Sequence, residues 1–199
     1  MTMNRSAIRV AFAVGLTTIV LVETPGRAQG VRGIDCVRPV DLQSPFQDLS
    51  GCNLNRARID GPVALFVSDL SGAHLNQAEI SGVNAAYACN LDSAIMNGVV
   101  ISGPAAVDSS SLVGARLDNA IISGESALAS SNLTGASLIH ATISGPNALG
   151  GANLTNADLL GAAVSPGAMY QAIIYNNTRC PDGTNSNDDG GTCVGHGVP

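Results

Sequence analysis

The sequence predicts an all-β solenoid, and three observations carry that prediction. Apolar residues return every 21 positions, a small residue stands two places before almost every one of them, and aromatics are only 3% of the chain, with no Trp. The first column is Leu49, Leu70, Leu91, Leu112, Leu133 and Leu154, and the second is Leu54, Leu75, Met96, Leu117, Leu138 and Leu159. The third is Ile59, Ile80, Ile101, Ile122, Ile143 and Val164, and the fourth is Leu65, Ala86, Val107, Leu128, Leu149 and Tyr170. A fixed period of this length marks a repeat that buries its apolar edge only by stacking on its neighbours. The chain is 45% hydrophobic over 199 residues, so a sizeable core is available. With few aromatic rings to supply buried area, that core must be narrow and built of Leu, Ile and Ala.

Within each period the anchors fall at steps of 5, 5, 6 and 5, as Leu133, Leu138, Ile143, Leu149 and then Leu154 show. Five fits neither a helix face of period 3.6 nor a strand of period 2. It fits a squared coil whose every side is about five residues long. The anchor points inward, and so does the small residue two places earlier, such as Ala115 before Leu117 or Ala141 before Ile143. The remaining residues face water.

Taken in order, the chain opens on a segment with the form of a secretory signal over residues 1–28. Arg5 and Arg9 are a basic start, Val10 to Val22 is a nearly unbroken apolar run, and Gly26-Arg27-Ala28 places small residues at a cleavage site. The run falls short of a membrane span, so no span is expected after the signal is removed. Residues 29–47 lack the period and read as an N-terminal cap, with Val40, Leu42 and Phe46 placed over the first coil. Residues 48–175 are the repeat. Residues 176–199 are a polar tail bounded by Cys180 and Cys193, which read as a disulfide that closes a C-terminal cap over an otherwise open stack end. Cys52 and Cys89 occupy small inward positions, so Cys89 is expected to be a buried free thiol, and Cys36 is a candidate partner for Cys52.

The repeat units Ala152-Asn153-Leu154-Thr155-Asn156 and Ala157-Asp158-Leu159-Leu160-Gly161 spell the motif A-(D/N)-L-x-x. The region from about Asp48 to Gln171 thereby resembles the pentapeptide repeat family. The resemblance implies a right-handed quadrilateral β-helix of about six coils. One regular departure is an extra residue after the third side, in Ile80-Ser81-Gly82-Val83, Ile101-Ser102-Gly103-Pro104 and their equivalents. The Gly is expected to supply a positive φ at that corner.

Removal of residues 1–28 leaves six Arg and no Lys against 14 acidic residues, a net charge of −8. Such a surface excludes phosphate-driven nucleic-acid binding. His74 and His140 lie on coils three apart, no Ser-His-Asp set converges, and no paired carboxylates appear, so an enzymatic role has no support. Asn185, Asn187 and Asp189, followed by Gly190, have the spacing that opens a calcium loop. Counted from Asn185, the twelfth position holds His196 and not the bidentate Glu of such loops. No cofactor is expected except calcium there.

Outward positions on the second and third sides carry Ile95, Val100, Ile121, Ile139 and Leu160, a candidate surface for a protein partner, and Phe66 and Tyr87 form a smaller aromatic spot. The expected function is a non-enzymatic, secreted or periplasmic solenoid that presents a surface to a protein or serves a structural role. One alternative is a calcium-dependent structural or adhesive module. Another, an acidic DNA mimic that binds topoisomerases as some family members do, is disfavoured by the signal segment.

Overall fold

Every side of the coil is short, and each is held by the coil above and below. The structure, a computed structural model, describes residues 42–169 and 173–199. Six two-residue strands, β1 (Arg58–Ile59), β2 (Glu79–Ile80), β3 (Val100–Ile101), β4 (Ile121–Ile122), β5 (Thr142–Ile143) and β6 (Ala163–Val164), form one parallel sheet in sequence order. Each strand pairs with the residue 21 positions on, as Ile101 with Ile122. Two further parallel ladders run beside it, through Asp48, Asp69, Asn90 and onward to Ile174, and through Asn53, His74, Ile95 and onward to Arg179. The fourth side is held by bonds such as the Val107 N–H to Ala127 O at 2.8 Å. The result is the four-sided β-helix that the anchor spacing predicts.

The anchors of all four columns are buried wherever they are described, save the half-buried Val164, and so are the small residues on the first three sides, apart from the half-buried Ala57. On the first side those small residues include Ser68, Cys89, Ser110 and Ser131. The Ser131 hydroxyl donates to Val107 O at 2.9 Å and accepts the Ser110 N–H at 3.2 Å, so the polar atom is satisfied within the core. On the fourth side the rule shifts by one residue. Ala64, Ala85, Ala106, Ala127 and Ala148 stand directly before the anchor and are fully buried.

The Gly of the extra residue differs from the sequence expectation. Gly82, Gly103, Gly124 and Gly145 do not have positive φ; the left-handed corner falls two residues later, on Asn84, Ala105, Ser126 and Asn147. The Gly column exists because coils touch there. A Cβ on Gly103 would lie 2.4 Å from Gly82 O, and one on Gly145 would lie 2.1 Å from Gly124 O. Backbone packs on backbone, and no side chain fits between.

Phe46 also differs from expectation. It is 68% exposed, and its N–H bonds to Phe66 O, so it sits on the fourth-side ladder and does not cover the first coil; Leu42 does pack against the core. Val40, Cys36 and the signal segment lie outside the described residues. At the other end the fourth side closes in a 3-10 helix, Pro166–Met169. The chain then adds a seventh rung at Ile174 and Arg179 and turns back, pairing Arg179 antiparallel with Asn185. Cys180 and Cys193 are joined, with Cα atoms 5.3 Å apart, and with Val198 they form a small core of their own. Cys52 is disulfide-bonded, and Cys89 is free and buried. Among the described residues no helix is long and apolar enough to cross a membrane.

Candidate functional surface

The outward layer is governed by one hydrogen-bonding problem. On the first and second sides, the residue after each anchor carries an N–H that the ladders leave over. Where the residue before the anchor is Asp or Asn, its own carboxyl or amide oxygen accepts that N–H: Asp69 takes Ser71 at 2.9 Å, Asn90 takes Asp92 at 3.1 Å and Asn153 takes Thr155 at 3.1 Å. Where that residue is not Asx, the coil before supplies the oxygen. His74, Ile95, Arg116 and Ser137 do not make the turn, and the N–H groups of Asn76, Asn97, Asp118 and Ile139 go to Asn55, Asn76, Asn97 and Asp118. Ser111 is the same case on the first side, with Asp92 accepting the Val113 N–H at 2.9 Å. The Asx residues are thus either turn-makers or links between coils.

Of the candidate partner residues, Ile121 is 47% exposed, while Ile95, Val100, Ile139 and Leu160 are half-buried. Val100 and Ile121 are register neighbours on the third side. Leu160 faces the tail: a Cβ on Gly183 would lie 3.5 Å from its Cδ1. A larger apolar area lies on the fourth side. Phe46, Val63, Val67 and Val83 stay exposed there. Phe66 and Tyr87 stack with centroids 5.6 Å apart, and Phe46 meets Phe66 edge-on at 5.9 Å. The sequence predicts the Phe66–Tyr87 spot but not its aliphatic surround. The signal for Val63 and Val67 was their place at the fourth-side corners.

In the tail the candidate calcium ligands are engaged with the protein. Asn185 Oδ1 accepts the Asn187 N–H at 3.0 Å, and Asn187 Oδ1 accepts the Asn177 N–H at 2.9 Å. Asp189 Oδ1 is 3.6 Å from His196 Nε2, while its Oδ2 is buried with no partner among the described residues. His196 Nδ1 lies 3.0 Å from Asp182 Oδ2. The Thr184 N–H and hydroxyl, and then His196, hold the Asp182 carboxyl below the usual carboxylate range. Burial pushes the Cys89 thiol up to about 12, and burial also raises the Tyr175 phenol to about 12. Among the described residues no three His, Cys, Asp or Glu side chains gather as a metal centre.

A stack of parallel four-sided coils with a 21-residue register is a quadrilateral β-solenoid. Its Ala152-Asn153-Leu154 and Ala157-Asp158-Leu159 units, one on the first side and one on the second, resemble the pentapeptide repeat motif. Solved structures similar to this chain include HetL, a pentapeptide repeat protein involved in heterocyst differentiation regulation from the cyanobacterium Nostoc sp. strain PCC 7120. That match has 25% identity, covers 72% of this chain and 66% of HetL, and has a TM-score of 0.38. Rfr23 from the cyanobacterium Cyanothece 51142 matches at 21% identity over 63% of this chain and 91% of its own, with a TM-score of 0.24. A pentapeptide repeat protein from the Arabidopsis thaliana thylakoid lumen matches at 19% identity over 72% and 71%, with a TM-score of 0.20. No protein-family model and no curated protein matches the sequence.

Proposed function

We propose that this chain is an exported, non-enzymatic scaffold that docks a protein partner on the fourth side of its N-terminal coils. The observation that carries the reading is the concentration of exposed apolar side chains there, Phe46, Val63, Val67 and Val83, around the Phe66–Tyr87 stack. Clustered aromatic and aliphatic groups on a rigid surface are what a partner's central contacts need. Ile121 and Val100 on the third side form a smaller second face. The Cys180–Cys193 disulfide supports residence in an oxidising compartment, secreted or periplasmic. Capture from envelope fractions with a photo-crosslinker at Val83 tests the docking face. Val67→Asp abolishes specific capture and Ile121→Asp spares it; capture unchanged by Val67→Asp contradicts the assignment. Export is tested by N-terminal sequencing of the processed chain, which is expected to begin at Gln29.

One observation favours a second reading, a calcium-dependent tail. The buried Asp189 Oδ2 has no partner among the described residues, and a cation is one group that would satisfy it. Binding must then raise the melting temperature. A rise in millimolar calcium that Asp189→Ala removes supports this reading, and no rise rejects it.

A further inference from the structure

We infer that the groove along the corner between the second and third sides of the first two coils is a binding site for a carboxylate-bearing sugar. Asn53, Asn55, Arg56, Asn76 and Gln77 line this open groove of about 460 Å³. Each of its carboxamide oxygens is already engaged. Asn53 Oδ1 accepts the Asn55 N–H at 3.2 Å, Asn55 Oδ1 accepts the Asn76 N–H at 2.8 Å, and Asn76 Oδ1 accepts the Asn97 N–H at 3.1 Å. Gln77 Oε1 accepts the Arg56 Nε–H at 3.1 Å. A backbone or guanidinium N–H can only donate, so each oxygen must face it and each NH₂ is turned away. The carbonyls of Asn76 and Asn97 are engaged too, by the N–H groups of Arg56 and Gln77. What the groove offers a ligand is a row of amide donors and the terminal nitrogens of Arg56.

The charge distribution narrows the ligand. Arg58 is held by Glu79 at 3.3 Å and Asp60 at 3.9 Å, Arg116 by Asp118 and Arg179 by Asp158. Arg56 is the arginine among the described residues with no carboxylate partner. A guanidinium flanked by amide donors matches a carboxylate surrounded by neutral acceptors. The lining residues carry no apolar side chain, which argues against an apolar ligand or the anchor of a protein hot spot. One cation on a chain of net negative charge is a poor match for the dense charge of a nucleic acid. A uronic-acid sugar, with one carboxylate among hydroxyl and ring oxygens, fits both the donor row and the single charge.

The test is an amide NMR titration of the chain without its signal segment, using sodium glucuronate, glucose and inorganic sulfate at one ionic strength. Glucuronate is expected to shift the amides of residues 53–77, and glucose to bind about tenfold more weakly for lack of the charged pair. Arg56→Gln is expected to weaken glucuronate by about tenfold while leaving the melting temperature in place. Gln77→Glu, which puts a carboxylate where an NH₂ stood, weakens it as well. No shift with glucuronate, equal response to glucose, or indifference to both substitutions overturns the site. Sulfate binding as tightly as glucuronate overturns the sugar and leaves a simple oxyanion site.

Discussion

At the scale of single residues, the polar surface is a solution to orphaned N–H groups, and that makes it testable by rescue. Asp92 accepts the Val113 N–H, which Ser111 does not, and it also accepts the Ser111 hydroxyl at 2.5 Å. Asp92→Ala is expected to cost about 1 kcal/mol, the usual net worth of such a bond. Ser111→Asn, by restoring a local turn, recovers most of that loss. Thermal melts of the two single variants and the double variant measure it, and additive effects contradict the link. Cys89 yields a second prediction. Its place in the column of Ser68, Ser110 and Ser131 makes Cys89→Ser close to neutral, within about 1 kcal/mol. Because burial raises the thiol from its ordinary 9.0 to about 12, the stabilising effect of the neutral thiol is complete below the unfolded value and is lost as pH rises toward the folded one. Native protein therefore stays unreactive to a thiol reagent at pH 8, and between about pH 9 and 10, below the range where the raised Tyr175 phenol contributes in both proteins, wild-type stability falls while that of Cys89→Ser does not. Reaction of the native thiol at pH 8, or the same pH dependence in both proteins, contradicts the assignment. The turn-making Asx residues were legible as the family motif. The relay between coils was not, because it joins residues 21 apart whose link appears only once the register is known.

At the scale of the element, the coil's four sides and their inward anchors were legible because period and residue size both point to them. The fourth corner was not. Its left-handed residues include Val63, Asn84, Ala105, Ser126 and Asn147, which give no glycine signal, while the Gly beside them answers to a neighbour's backbone. A single sequence records that a position must be small without recording what approaches it. The two kinds of glycine separate by mutation. Gly135 has φ +66 and open space around its Cβ position, so Gly135→Ala costs about 1 kcal/mol of backbone strain. Gly103→Ala must push Gly82 O away from 2.4 Å and costs about 2 kcal/mol or more. Equal melting temperatures for the two variants contradict the coil-on-coil contact.

At the scale of the whole molecule, the described coils share one continuous hydrophobic core, and the sides of the stack present different surfaces around it. The fourth-side apolar area and the donor groove lie on different sides of the same coils, so the two proposed contacts do not overlap. Their places followed from the repeat. Their chemistry did not, because a single sequence shows neither the exposure of Val63 and Val67 nor the bonds that engage the amide oxygens of Asn55 and Asn76. Everything above depends on the register that sends Leu117 inward and Ile121 outward, 0% and 47% exposed respectively. The direct test is a pair of thermal melts followed by far-UV circular dichroism. Leu117→Asp buries an unpaired charge between coils and is expected to unfold the stack or cost about 4 kcal/mol, while Ile121→Asp stays within about 1 kcal/mol of the wild type. Equal destabilisation by the two, or a spectrum dominated by helix, would contradict the four-sided coil.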